Sequence, residues 1–229
     1  MNKNTDNFDK LFRIDEKQTA HCIVNCGRSN RGKSYFTRFY LQNRFLKGNL
    51  KFMLVFCTTE FNKDYDWLPE RCVIPHYDED ILEAYVENLK AIYKQNGEIE
   101  NNAILFEDCI GVLNNCSQFY TNFITMARHL NCTLIYNCQY LTGRNAINPT
   151  LREQVSHCLI FQPKTQITIE NLYKSFGQLF PSQKEFQSYL EKHGQQYTPI
   201  LYIEAEDDID KNYIPIQAPA DFKKIKVNY

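Results

Sequence analysis

Residues 26–36 read "CGRSNRGKSYF" and contain Gly27-x-x-x-x-Gly32-Lys33-Ser34. Two glycines at this spacing let the backbone turn tightly enough for several N–H groups to face one anion, and a helix starting near Lys33 adds its positive end. The chemistry of the pattern is phosphate binding. The backbones of Gly27, Arg28, Ser29, Asn30, Arg31 and Gly32 and the first helical turn through Tyr35 form the cradle. Lys33 reaches the β and γ phosphates of a nucleoside triphosphate, and the Ser34 hydroxyl meets Mg²⁺. Arg28 and Arg31 are expected to serve with their backbones while their side chains point outward, to a neighbour or to solvent.

A phosphate cradle that hydrolyses needs an acid at the end of a neighbouring strand, and "AILFED" (103–108) ends in Glu107 and Asp108. One carboxylate would hold Mg²⁺, mostly through water, and the other would polarise the attacking water. By order Glu107 takes the metal and Asp108 the water; the pair is firmer than the split, so both stay candidates for either role. "YNCQYL" offers Gln139 to sense the γ phosphate, with Asn137 as the alternative. Arg128 and His129 close the stretch 115–130. Arg128 lies nine residues beyond Phe119, about 180° round a helix from the apolar stripe, and faces away from the core. An arginine so placed in a ring can reach the neighbour's γ phosphate as a finger. Arg144 and Arg152, in and after "TGRNAINPTLREQ", could serve the same purpose or bind DNA phosphate. Most of the five histidines show no partner pattern and read as structural.

The elements that must position these residues follow from the apolar runs. Strands are predicted over 21–26, 51–57, 103–109, 132–139, 157–162 and 199–206, and helices over 33–46, 79–95, 115–130, 165–177 and 182–193. Residues 33–46 carry Phe36, Phe39, Tyr40 and Leu46 toward a sheet. The 115–130 helix carries Phe119, Phe123, Met126 and Leu130 at i, i+4, i+7 and i+11. Residues 58–78 read as a loop with a short extended piece, "CVIPHY". This alternation argues an α/β fold with a mainly parallel sheet and helices on both faces. The whole chain, 1–229, reads as one domain, with a polar N-terminal segment (1–18) and a polar tail (207–229).

Composition sets the bounds. The chain has 229 residues, 43% hydrophobic and 23% charged, ordinary values for a globular protein. A formal net charge of −1 excludes a broadly basic nucleic-acid binder but leaves room for a local basic channel. The nine cysteines include no C-x-x-C pair and read as small buried hydrophobes in a reducing compartment. The N-terminus lacks the apolar core of a signal peptide, and no apolar run approaches the length of a membrane span, so a soluble intracellular protein is expected.

"RH" before a strand, then "TLIYNCQYL", then "LREQVSHCLIF", follow the phosphate loop and the acid pair in order, over roughly residues 20 to 165. This set resembles the poxvirus-type genome-packaging ATPases of the FtsK–HerA superfamily, found in large DNA viruses, virophages and related elements. The resemblance implies a P-loop fold of about five parallel core strands in which the Gln strand separates the acid strand from the phosphate-loop strand. It implies a homo-oligomeric ring, pentamer or hexamer, that uses ATP and Mg²⁺ to pump double-stranded DNA into a preformed capsid, with capsid vertex proteins as partners. It places the protein in the host cytoplasm or viral factory, with virion association. It raises Arg128 as the trans finger, with Arg152 next. Two departures stand out: Glu107 where Asp is usual, and bulky Arg28 and Arg31 in the loop.

Rival readings fare less well. A small GTPase needs Asn-Lys-x-Asp after a late strand, whereas "FNKDYD" has the wrong spacing and lies too early. A nucleotide kinase needs an arginine-rich lid, and 140–155 holds only Arg144 and Arg152. Another DNA translocase, helicase or partition ATPase of the same superfamily is nearer. A non-catalytic assembly scaffold would prevail only with the acid pair away from the loop. Lys47, Lys51, Arg144 and the "DFKKIKVNY" tail are equal candidates for DNA contact, which needs only a few cations facing a channel.

Overall fold

The computed structural model describes residues 8–12, 20–58, 63–113, 117–141, 147, 149–203, 208–220, 222 and 225–227. Arg144 and much of the basic tail lie outside the described residues.

Eight strands form one sheet: β1 (Cys22–Cys26), β2 (Phe52–Cys57), β3 (Val73–Ile74), β4 (Asn102–Glu107), β5 (Cys132–Cys138), β6 (His157–Ile160), β7 (Ile200–Ile203) and β8 (Tyr213–Pro215), in the order β3-β2-β4-β5-β1-β6-β7-β8. The first six in that order run parallel; β7 and β8 close one edge antiparallel. The strands are apolar on both faces because both faces are covered. Alternation sends Val24, Phe56, Ile104 and Phe106 into one core and Ile23, Val55, Leu105 and Ile135 into the other. As the resemblance implied, β5 with its Gln end separates the acid strand β4 from the phosphate-loop strand β1.

After a short helix whose described residues are 8–11 (α1), α2 (Lys33–Leu46) lies on the second face through Phe36, Phe39, Tyr40 and Leu41. Leu46, expected on that apolar face, ends the helix exposed. The helices α3 (Glu79–Asn96), α5 (Gln118–Met126), α7 (Gln166–Phe176) and α8 (Gln183–His193) pack on the first face. Local chemistry sets their starts: the side chains of Asp78, Ser117, Thr165 and Ser182 each accept a first-turn backbone N–H. Short helices α4 (Ile110–Leu113), α6 (Pro149–Glu153) and α9 (Ile209–Asn212) complete the set. Among the described residues no helix is long and apolar enough to cross a membrane.

The apolar stripe of residues 115–130 is rotated from its expected place. Tyr120, Phe123, Ile124, Ala127 and Leu130 are buried, while Phe119 and Met126 sit at the margin. Tyr120 is drawn inward by a 2.9 Å bond from its hydroxyl to that of Tyr136, and the chain tightens to a 3-10 turn over Ala127–Leu130.

The polar ends also depart from their composition. Phe8 and Phe12 are buried in the second core. The C-terminal residues add β8 to the sheet and then run as a strap across α2: Gln42 exchanges two hydrogen bonds with Ile225, and Val227 N–H donates to Trp67 O at 2.7 Å. A few apolar residues, Ile216, Ala218 and Val227, carry that packing among many polar ones, and periodicity cannot show it.

Candidate active site

Register brings the polar strand residues into one row. Cys57, Glu107, Asn137 and Asn25 are successive cross-strand partners on β2, β4, β5 and β1. In neighbouring strands about 4.8 Å apart, such partners point the same way. Here they share the face under α2, whose Thr37 joins them. Asn25 Nδ2 donates to Thr37 Oγ1 (2.9 Å) and Asn137 Oδ1 (2.7 Å), and Thr37 Oγ1 donates to Asn137 Oδ1 (3.1 Å). Asn137 Nδ2 in turn donates to Glu107 Oε2 at 2.5 Å. All four residues of this network are buried.

Above the row sits the phosphate loop. A Cβ on Gly27 would lie 2.5 Å from Phe161 Cβ, so only glycine lets the loop pass β6's end. Asn30 (φ 59°) and Gly32 (φ 98°) are left-handed, the alternation that turns successive N–H groups to one side. Gly32 starts α2, and among the described residues no side chain caps it, unlike the helix starts above. The N-terminal end of a helix favours an anion. Lys33 is buried, its ammonium donating to Gly27 O (2.6 Å) and Arg28 O (3.1 Å). Ser34 Oγ donates to Glu107 Oε1 at 3.3 Å, so the hydroxyl and the first acid share one spot.

Glu107 also accepts from the Tyr65 hydroxyl at Oε2. Burial raises its pKa above the ordinary carboxylate value, against the lowering effect of the bonds from Tyr65 and Asn137. Asp108, one residue on, is exposed in the left-handed region (φ 52°). It lines a cavity of about 430 Å³ together with Thr58, Gln139 and Tyr140. Gln139 also reaches back to the loop, Nε2 to Ser29 Oγ at 3.5 Å. Asn137, the alternative phosphate sensor, is instead sealed beneath the loop and holds Glu107.

Arg28 is exposed. Arg31 does not point outward as expected: its Nη1 donates to Gln162 Oε1 at 3.3 Å, against the chain leaving β6. Tyr35 turns from the cradle to the strap, its hydroxyl 2.8 Å from the carbonyls of Pro219 and Ala220. With Gly32, Phe161, Tyr197 and Pro199 it lines an apolar cavity of about 340 Å³ beside the loop.

Arg128 is exposed on the turn before β5, at the opposite end of that strand from Gln139. Seven strand residues separate it from its own loop by about 20 Å, beyond an arginine's reach. Arg152, half-buried on α6 before β6, also precedes its strand, and its buried Nε has no hydrogen-bond partner among the described residues. Neither arginine joins the site of its own chain.

The donor set around Ser34 and Glu107 is all oxygen, which fits Mg²⁺. Among the described residues no three His, Cys, Asp or Glu side chains cluster as a self-sufficient metal site. One carboxylate and one hydroxyl fit an ion whose other ligands are phosphate and water.

Over 86% of this chain and 98% of the other, the structure superposes on the genome-packaging NTPase B204 of Sulfolobus turreted icosahedral virus 2 in complex with ATP-gammaS, at TM-score 0.58 and 14% identity. The two chains share one fold. It is also that of EssC ATPases 2 and 3 from Geobacillus thermodenitrificans, at TM-score 0.59 and 13% identity over 89% of this chain and 40% of that one. In sequence the chain is 26% identical over 208 residues to protein 075L of Invertebrate iridescent virus 6, covering 89% of this chain and 75% of the relative. It is likewise 26% identical over 205 residues to protein L437 of Acanthamoeba polyphaga mimivirus, covering 82% and 69%. No protein-family model matches the chain.

The sequence reading missed Tyr65, Asn25 and Thr37. Asn25 carried a signal, since a lone amide in "HCIVNC" at a core position has to find buried partners. Tyr65 carried none, because it stands in a crossover without periodicity.

Proposed function

We propose that the chain is an Mg²⁺-dependent ATPase of the FtsK–HerA type that moves double-stranded viral DNA into a preformed capsid as a homo-oligomeric ring. The observation that carries the ATPase part is the 3.3 Å contact between Ser34 Oγ and Glu107 Oε1 at the uncapped start of α2, with Lys33 alongside. It also favours a working site over a scaffold, which would have its acids elsewhere. The DNA-packaging part leans on the shared fold of the B204 NTPase and on the two viral relatives.

ATP lies with its phosphates on the loop and its base in the apolar cavity between Tyr35 and Tyr197. Lys33 leaves the carbonyls of Gly27 and Arg28 to meet the β and γ phosphates. Ser34 and Glu107 would hold Mg²⁺, which would neutralise charge on the phosphates. Asp108 orients and polarises water from the adjoining cavity, and Gln139 between that cavity and Ser29 senses the γ phosphate. Arg128 cannot reach its own loop, so as a finger it serves the neighbouring subunit, and loss of the γ phosphate frees it. Movement of one subunit against the next then carries the DNA. Steady-state ATP hydrolysis by the wild type, Lys33→Ala and Asp108→Asn tests the site: both variants should lose at least 100-fold in kcat, and turnover preserved in either would remove that residue from its role.

A further inference from the structure

Glu107 stands where the resemblance expects the shorter Asp, so one more rotatable bond has to be held. Donors from three other elements hold it. Ser34 of α2 faces Oε1, while Asn137 of β5 and the hydroxyl of Tyr65 both donate to Oε2. Tyr65 ends a 3-10 turn (Lys63–Tyr65) in the crossover from β2 to β3 and is 1% exposed. Two residues on, Trp67 is pinned by the strap through Val227.

We propose that Tyr65 is a positioning residue for the metal: with Asn137 it occupies Glu107 Oε2, so that Oε1 alone is offered beside Ser34. This rests on the Mg²⁺·nucleotide reading above. The small ion demands near-octahedral geometry and takes oxygens singly, so a carboxylate free to swing or to chelate would fit it worse. Two donors on one oxygen remove both freedoms. The neutral phenol has one hydroxyl hydrogen to give, and it is given to Oε2. Groups behind a metal ligand commonly govern affinity 10- to 100-fold.

The test is a Mg²⁺ titration of the full chain saturated with a fluorescent ATP analogue, beside the analogue's affinity in EDTA, for wild type and Tyr65→Phe. Removing only the hydroxyl should raise the Mg²⁺ half-saturation roughly 10-fold and leave the EDTA affinity within about twofold. Asn137→Ser, which removes the other donor to Oε2, should shift the Mg²⁺ curve the same way and tests the claim if Tyr65→Phe folds poorly. An unchanged or tighter Mg²⁺ half-saturation would overturn the inference. So would an equal loss with and without metal, which marks a merely structural tyrosine. A wild type without Mg²⁺-dependent nucleotide binding would overturn the site reading as well; a Mg²⁺-dependent wild type with an insensitive Tyr65→Phe overturns this inference alone.

Discussion

Asn137 on β5 donates through Nδ2 to Oε2 of Glu107 on β4, its direct cross-strand partner, at 2.5 Å. The strand that leads into Gln139 thus also holds the acid of the strand beside it. The carboxylate is set by the sheet's register rather than by its own rotamer, and everything built on Glu107 depends on that register.

The network behind Asn137 is therefore a stability element as well. Thr37→Val should cost about 1–3 kcal/mol, because it leaves Asn25 and Asn137 short of a buried partner. Urea unfolding measures this, and a loss under 0.5 kcal/mol would mean that water replaces the hydroxyl.

Gly27 and Phe161 are packed so closely that no side chain fits between them. Gly27→Ala must displace the loop or the chain beyond β6. Nucleotide binding should weaken by more than tenfold, measured by calorimetry, whereas the same substitution at the open, exposed Gly48 should leave binding unaffected.

The arginine at the far end of β5 predicts a subunit effect. Arg128→Ala subunits doped into wild type should lower ATPase activity by more than their share, since each removes a finger from a neighbour's site. Strictly proportional loss would contradict the trans role.

All eight described cysteines are buried. Burial pushes the thiols of Cys22 and Cys109 up to about 12. A raised folded-state pKa favours the native state fully below the unfolded thiol value and progressively less above it. The melting temperature should thus fall as pH rises from about 9 toward 12, and iodoacetamide should label Cys22 and Cys109 of the folded protein slowly at pH 8. Rapid labelling of Cys22 or Cys109 would contradict their burial.

What could be read in the sequence was whatever repeats with a period or belongs to a spaced motif. The loop at Gly27–Ser34, the acids after "AILF" and the outward Arg128 are of that kind, and so is the strand order that the resemblance implied. What could not be read depends on contacts between distant residues. Tyr65 reaches Glu107 across 42 positions, and Tyr120 replaces Phe119 in the core because a hydroxyl partner waits on β5. The strap packs through Val227 although its composition is polar. Arg31 found Gln162, 131 residues on, where a short-range reading left it facing outward.

The most direct measurement is ATP hydrolysis by the full chain with and without double-stranded DNA, with the mass of the assembly determined in the same samples. A ring of several subunits whose hydrolysis rises several-fold on DNA, and vanishes with Lys33→Ala, is the expected result. A monomer hydrolysing at a rate indifferent to DNA would contradict a DNA-moving ring.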